Sequence, residues 1–307
     1  MKRKHIMRGL AFVLIFMLLL AALGPVLRPA YPFGSVALED PATIDYILLG
    51  DSESTTGVYP MELWRDYGFA GYNCGKAGQR LQDLYYLLRD LLEEYSPKVI
   101  LLETNLFYRN RGYVGECEEV FNSLLGQALP AFHYHDRWKQ LLAGEEQGRD
   151  LFRGAAFTEK VQPYGGGDYA QPTEEVQPVP FFQRIYADKI AALCREKGIQ
   201  LILYSIPSPV NWSSAIHNGL EDYAEARGLI FLDLNLMQEQ LGLDWSRDSF
   251  DAGDHLNCYG ARKVTACLGR YLSERGSLDG HRGETGYERW EEELPAYLDA
   301  THQSSES

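Results

Sequence analysis

The stretch Ile44-Asp45-Tyr46-Ile47-Leu48-Leu49-Gly50-Asp51-Ser52-Glu53-Ser54 joins a short apolar run to a polar turn. The apolar run predicts a buried strand that ends at Gly50. Ser52 then lies at a strand-to-helix turn, where its own backbone N–H and the start of the next helix can stabilise an oxyanion. An ordinary helix N-cap is the alternative, because Asp and Ser both cap helices well.

Short apolar runs and amphipathic segments alternate along the rest of the chain. Further strands are predicted at 98–102, 199–204 and 229–232, and helices at 81–95, 181–197, 213–227 and 259–274. Strands that alternate with helices of this length predict βαβ units. We therefore expect a three-layer α/β/α sandwich around a mostly parallel sheet, with right-handed crossovers.

Composition limits the classes of function. The 307-residue chain is 45% hydrophobic and 23% charged, a globular balance with enough apolar residues for a sizeable core. Its formal net charge of -14 argues against binding nucleic acid, which requires clustered Lys and Arg. The same charge argues against a broad polybasic face that binds membranes.

The N-terminus combines basic residues with a long apolar run. Four basic residues in segment 1–8 precede an uncharged run at 9–27, which is close to the ~20 residues that a membrane-spanning helix needs. This pattern predicts a transmembrane signal anchor at 9–27, a cytoplasmic tail at 1–8 and the rest of the chain outside the cell membrane. A cleaved signal peptide is the alternative, but its apolar region is usually only about 7–15 residues long.

Three segments flank or interrupt the α/β pattern at 43–277. Residues 28–42 are rich in Pro, Gly and Ala and predict a linker. Residues 112–180 show no clean period, so we expect an insertion, partly helical, near the substrate site. Residues 278–307 form an acidic polar tail, in which Trp290, Leu294 and Tyr297 predict a short docked helix.

Three further polar segments follow predicted strands or lie in loops beside them, on the edge where open α/β sheets bind ligands. Asn73-Cys74-Gly75-Lys76-Ala77-Gly78 has glycines that let backbone N–H groups approach a ligand. Glu103-Thr104-Asn105 offers a side-chain amide to an oxyanion. Asp251-Ala252-Gly253-Asp254-His255-Leu256-Asn257 places a His beside carboxylates, as a general base requires. Each segment alone also suits an ordinary loop, turn or cap.

Together the four segments resemble the SGNH/GDSL hydrolase superfamily. That family has a nucleophilic Ser in a Gly-Asp-Ser block after the first strand, then a loop Gly, a third-strand Asn and a late Asp-x-x-His. Gly50-Asp51-Ser52, Gly78, Asn105 and His255 match these features in the same order. The resemblance covers roughly residues 44–275 and implies a flavodoxin-like α/β/α fold.

Two departures from the family pattern concern the site. The third block has Glu103-Thr104 before Asn105, where the family usually has a glycine. The late block has Ala252 at the position of the family's aspartate, with Asp251 four residues before His255 and Asp254 one residue before it. We favour Asp251 with a one-residue bulge around Gly253, because adjacent side chains often point apart, and Asp254 stays open.

The resemblance implies a serine-dependent ester hydrolase or O-acyltransferase that needs no cofactor and no metal. Ser52 would attack an ester carbonyl, and His255 would take the serine proton with Asp251 or Asp254 as its orienting acid. The backbone N–H groups of Ser52 and Gly78 and the amide of Asn105 would form the oxyanion hole.

The apolar N-terminus narrows the resemblance to particular branches of the superfamily. One N-terminal membrane helix, Gly-Asp-Ser-Glu and a late His-Leu-Asn look most like the teichoic-acid D-alanyl transfer proteins, and are similar to the alginate O-acetylation proteins. This implies an envelope polysaccharide or polymer as substrate and a membrane-bound O-acyltransferase as partner. The alternatives are a catalytically inert, membrane-anchored glycan-binding or scaffold protein on the same fold, and a lipid esterase with a large apolar pocket.

The cysteines and a histidine pair suggest no metal site. The chain has five cysteines with no zinc-type spacing, and we expect most to be buried small hydrophobes. His133 and His135, with Asp136, have the spacing of a strand face but lack a further cluster of ligands.

Overall fold

The computed structural model describes residues 2–27, 34–109, 112–129, 131, 139 and 150–303. The chain divides into two compact units. One unit comprises Met1–Ala37 and Arg111–Gly148, and the other comprises Leu38–Asn110 and Arg149–Ser307. The first unit contains helices α1 (Lys2–Leu27) and α5 (Gly112–Ala128).

The second unit is built on a five-stranded sheet. Its strands are β1 (Tyr46–Leu49), β2 (Gly71–Asn73), β3 (Val99–Glu103), β4 (Gln200–Ser205) and β5 (Ile230–Asp233). They lie in the order β2-β1-β3-β4-β5, and every neighbouring pair is parallel. The predicted parallel α/β sheet is therefore confirmed, and the carboxyl ends of its strands share one edge.

Helices follow the strands in sequence. The second unit contains α2 (Ser52–Gly57), α3 (Pro60–Tyr67), α4 (Leu81–Leu91), α6 (Phe181–Lys197), α7 (Ser214–Glu225), α8 (Gln238–Leu241), α9 (Cys258–Glu274) and α10 (Glu288–Ala300). Short 3₁₀ turns lie at Gly34–Leu38, Pro41–Thr43, Asn105–Phe107 and Leu234–Met237.

The sheet is covered on both faces, as the sequence predicts. On one face Leu48, Leu101 and Tyr204 cluster with Leu268 of α9, and α9 packs on α2 and α3. Side chains alternate along a strand, so the equally buried residues between them, such as Ile100, point to the opposite face. There α6 packs on β4 and on α4.

The C-terminal part of the second unit ends in a packed helix. Trp290, Leu294 and Tyr297 of α10 are buried, as expected for the docked helix. The ring of Trp290 lies 5.3 Å from that of Trp64 in α3. The segment 278–307 therefore contributes to the core as well as carrying acidic charge.

Helix α1 contains a candidate membrane span at Lys4–Gly24, judged by length and composition. A signal sequence near an N-terminus meets the same criterion. The structure thus shows an apolar N-terminal helix of either kind.

The second half of the insertion, residues 150–180, is bonded to loops at the carboxyl edge of the sheet. Residues 150–180 contain neither α-helix nor strand. The backbone of Gln162 nevertheless donates to Ser249 O and accepts from Ala252 N, and Ala156 N donates to Thr55 O. These hydrogen bonds attach the second half of the insertion to the loops that carry the candidate site.

Candidate active site

Ser52 is the first residue of α2, directly after β1. Asp51 caps this helix by accepting a hydrogen bond from Glu53 N at 2.9 Å. Only glycine fits at position 50, because a Cβ there would lie 2.3 Å from the Cβ of Ser54 and 2.9 Å from that of Glu103. The sequence therefore places the hydroxyl of Ser52 at the carboxyl edge of the sheet.

Ser52, His255 and Asp251 form a continuous hydrogen-bonded chain. His255 Nε2 lies 2.8 Å from Ser52 Oγ, and His255 Nδ1 lies 2.6 Å from Asp251 Oδ2. The imidazole is mostly buried and stacks on Phe250, with ring centroids 5.5 Å apart. A serine, a base and an acid in this order are arranged to activate the serine as a nucleophile.

The two aspartates beside His255 have different environments. Asp251 uses both carboxylate oxygens on His255, since Oδ1 also accepts from the backbone N of His255 at 2.7 Å. The nearer oxygen of Asp254 lies 3.7 Å from Nδ1, and Asp254 Oδ1 accepts from the amide of Asn211. The geometry favours Asp251 as the orienting acid.

A local bulge makes the four-residue spacing possible. Ala252 has φ +62° and Gly253 has φ +97°, so two successive residues adopt conformations that an L-residue with a side chain seldom takes. The chain therefore turns sharply between Asp251 and His255, and the bulge expected around Gly253 is present.

Asn105 and Gly78 lie at different positions relative to the hydrogen-bonded residues Ser52, His255 and Asp251. Asn105 starts the 3₁₀ turn after β3, and its Nδ2 donates to Glu53 Oε1 at 2.8 Å. Gly78 lies in the exposed loop after β2, with φ +73° and open space where a Cβ would be. Gly78 is outside the hydrogen-bond network that joins the other predicted site residues in the described part of the chain.

Two buried carboxyl groups lie beneath the site. Glu53 is 2% exposed and Glu103 is 1% exposed. Burial raises the pKa of Glu53 well above its ordinary value, and the nearby charge of Glu103 raises it further. Burial likewise raises the pKa of Glu103, with a further contribution from Asp51. Both groups are therefore shifted toward the neutral form.

Arg109 provides positive charge beside Asp51, the residue before Ser52. Its Nε lies 2.6 Å from Asp51 Oδ2, and Asp51 is fully buried. Burial of this carboxyl raises its pKa, and the guanidinium opposes that shift. The ion pair thus offsets the cost of placing Asp51 in the core next to Ser52.

Sequence reasoning missed Asn211, which joins both halves of the site. Its Nδ2 donates to Glu53 Oε1 at 2.6 Å and also contacts Asp254 Oδ1. It lies in the loop after β4, so its place at the strand's carboxyl end was the available signal. Asn73 was predicted only as part of a loop. Its side chain nevertheless bonds Ser54 in α2 and Val58 directly after that helix.

The titratable groups near His255 also include the only metal-type grouping among the described residues. It consists of Asp251, Asp254 and His255. Both ring nitrogens of His255 already contact Ser52 and Asp251, which fits an acid–base role for the cluster. His133, His135 and Asp136 lie outside the described residues, and Cys194, Cys258 and Cys267 are buried free thiols.

Comparison with known proteins gives structural similarities alone. No family model and no curated protein matches the chain. An esterase from Pseudoalteromonas, solved with monoethylphosphonate as inhibitor, is similar at 12% identity and TM-score 0.42, over 76% of this chain and 100% of that one. A GDSL-like lipase from Bacteroides thetaiotaomicron is similar at 14% identity and TM-score 0.40, over 80% and 96%.

A lipase/acylhydrolase from Enterococcus faecalis is similar at 14% identity and TM-score 0.39, over 76% of this chain and 97% of that one. Of these three, the Bacteroides lipase bears the GDSL name, which is also that of the superfamily that the four sequence blocks resemble. Because the identities and TM-scores are low, any inference about activity depends on the site geometry.

Proposed function

We propose that the chain is a serine-dependent ester hydrolase or O-acyltransferase. The observation that supports this is the hydrogen-bonded chain from Ser52 through His255 to Asp251. It joins residues more than 200 positions apart, and a structural cap for α2 would not require it. An inert scaffold on the same fold has no need of this arrangement.

The reaction follows from the positions of these atoms. Ser52 Oγ attacks the ester carbonyl carbon while His255 Nε2 takes its proton, and Asp251 stabilises the imidazolium. Collapse of the tetrahedral intermediate breaks the ester C–O bond, and Nε2 returns the proton to the departing alcohol. Water or a sugar hydroxyl then attacks the acyl-enzyme, loses its proton to Nε2 and regenerates Ser52.

The oxyanion would be held by the backbone N–H groups of Ser52 and Gly78 and by Asn105. An Asn amide has two hydrogens. The Asn105 amide gives one to Glu53, which leaves the second available to the oxyanion. The bond to Glu53 then fixes the direction of the donor before substrate binds.

We place this activity outside the cytoplasmic membrane, on an envelope glycan or polymer. The apolar helix α1 supports a membrane anchor, since Lys4–Gly24 has the length and composition of a span. The similarity of the sequence blocks to envelope acyl-transfer proteins supports a polymer substrate, with a membrane-bound O-acyltransferase as partner.

Covalent labelling tests the enzyme proposal. The full chain in detergent would be treated with a fluorophosphonate probe, together with Ser52→Ala, His255→Ala and Ser54→Ala. Ser54 is the matched control, because its buried hydroxyl bonds Asn73 and Tyr204 and lies two residues from the nucleophile. We expect labelling that is lost in Ser52→Ala and retained in Ser54→Ala. A folded wild-type chain that stays unlabelled would favour the inert glycan-binding scaffold.

A further inference from the structure

A wide groove lies beside the candidate active site, in the second unit. One wall is the insertion segment 164–170, and the other is the segment 235–240 with Trp245. Its volume is about 570 Å³, within the range of roughly 300–1,000 Å³ that small-molecule sites have. Such a groove has room for an extended ligand.

The groove adjoins the loop that carries His255. A Cβ on Gly253 would lie 2.9 Å from the ring of Tyr164, so the ring rests directly on the bulge. On the other wall, Asn235 Oδ1 accepts from Ser208 N, and Ser208 Oγ donates to the backbone oxygen of Asp254 at 2.9 Å. The groove therefore adjoins the loop 251–255, which carries His255 and Asp251.

The rings of Tyr164 and Trp245 line the groove, and Tyr169 packs on Trp245 and helps to hold it in place. The rings of Tyr164 and Trp245 meet edge to face with centroids 6.1 Å apart, and Tyr169 packs on Trp245 at 5.8 Å. Trp245 Nε1 donates to Gln238 Oε1 at 3.0 Å, and Tyr169 OH donates to Asn235 Oδ1 at 3.0 Å. The rings are thus held in place before any ligand binds, which lowers the entropic cost of binding.

The polar lining indicates the class of ligand. Exposed Glu239 and Gln240 lie on the wall that faces the segment of Asp168, and no Lys or Arg among the described residues lines the groove. Aromatic faces beside carboxylate and amide groups suit a chain that is apolar on its ring faces and rich in hydroxyl donors. Acidic lining on a protein of net charge -14 disfavours a polyanion.

We propose that this groove binds the sugar chain of a neutral or amine-bearing glycan and presents its ester to Ser52. The inference rests on the proposed function, because it assigns the substrate class of the same site. It also gives the insertion a role, since Tyr164 lines the groove and Tyr169, from the same segment, packs on Trp245.

The test uses the full chain in detergent and two acetyl esters. One is p-nitrophenyl acetate, which is too small to occupy the groove, and the other is a partially O-acetylated xylo-oligosaccharide. The variants are Tyr164→Ala and Trp245→Ala, with Tyr164→Phe and Trp245→Phe as matched controls that keep a ring. Loss of ring contact is expected to lower the ratio of kcat/KM for the oligosaccharide to that for p-nitrophenyl acetate about tenfold, mainly through KM.

Binding by Ser52→Ala separates this inference from the proposed function. We expect titration calorimetry to detect binding of the unacetylated xylo-oligosaccharide to Ser52→Ala, and not to Ser52→Ala combined with Trp245→Ala and Tyr164→Ala. If the wild type hydrolyses neither ester, the proposed function fails. The binding result would still show whether the groove binds a sugar chain. If both esters are hydrolysed and the Ala variants keep the wild-type ratio, the groove proposal alone is overturned. Tighter binding of an oligogalacturonate would refute the charge argument.

Discussion

Replacing Asp251 with Asn tests the assignment of the orienting acid most directly. Asp251 accepts two hydrogen bonds from His255, one from the backbone N at 2.7 Å and one at Nδ1 at 2.6 Å. An Asn at this position must place its carbonyl oxygen on the backbone N–H, because the NH₂ group cannot accept. Its NH₂ group then meets Nδ1 and forces the ring proton onto Nε2, so His255 can no longer accept the proton of Ser52.

The magnitude follows from this wrong tautomer. In serine hydrolases the same substitution lowers kcat by about 10⁴-fold, and we expect a loss of about 10³- to 10⁴-fold in Asp251→Asn, or roughly 4–5.5 kcal/mol. Asp254→Asn should cost less than about tenfold. Its oxygen lies 3.7 Å from Nδ1, and its side chain is 41% exposed, so solvent screens its charge.

The assay is hydrolysis of p-nitrophenyl acetate together with the rate of fluorophosphonate labelling, for wild type and both variants. Thermal melting of each variant checks that the fold is retained. Refutation would be a loss in Asp254→Asn as large as that in Asp251→Asn, because the bulge geometry would then not describe the working site. An Asp251→Asn variant within tenfold of wild type would refute the tautomer argument itself.

Four further predictions concern the surroundings of the triad. Arg109→Met leaves Asp51 buried without its partner and should lower the free energy of unfolding by about 2 kcal/mol, less than for a fully buried pair because Arg109 is partly exposed. In chemical denaturation, the double variant Arg109→Met with Asp51→Asn should recover most of this loss. If the losses of the two single variants simply added, the ion pair would be contradicted. Ala252→Gly relieves a left-handed φ of +62° and should raise the melting temperature by roughly 1–3 °C, whereas a lower melting temperature would count against backbone strain at that residue. Asn211→Ala should lower kcat by about 10- to 100-fold with little change in KM, and an effect confined to KM would contradict a positioning role. Burial raises the pKa of Glu103, so its contribution to stability is present below the unfolded-state pKa and is lost as pH rises through the folded-state pKa. Glu103→Gln should therefore gain stability relative to wild type as the pH rises above the ordinary value of 4.5, and a pH-independent difference in unfolding free energy would contradict this.

The fold was predictable because each local pattern agreed with the others. Tyr46–Leu49 is apolar without interruption, as strands buried on both faces are, and the helical segments between strands require parallel pairing. Parallel pairing in turn gathers Ser52 and Asn105 at one edge, although they are 53 residues apart in sequence. The alternation of strands and helices does not predict the strand order, because that order depends on how the crossovers pack in space.

The site was less predictable where it depends on long-range contacts or on unusual backbone. The choice between Asp251 and Asp254 stayed open because it is decided by the φ of Ala252, and Ala rarely adopts positive φ. Asn211 has no motif around it, and its importance comes from meeting Glu53 and Asp254 across 158 and 43 positions. Segment 150–180 of the insertion has no hydrophobic period because it forms no helix or strand of its own. Its backbone is bonded instead to Thr55 of α2 and to Ser249 and Ala252 of the site loops.

Glu53 explains how an acidic cluster can lie beneath a site that must stabilise negative charge. Its Oε1 accepts from both Asn105 and Asn211, so it aligns the proposed oxyanion donor. An ionised Glu53 would repel the oxyanion across that donor, and this repulsion is strong where water is excluded. Burial and the neighbouring Glu103 raise the pKa of Glu53, and a neutral carboxyl still accepts through its carbonyl oxygen. The same burial that makes this carboxyl costly to ionise therefore lets it position Asn105 without opposing the charge that Asn105 is proposed to stabilise.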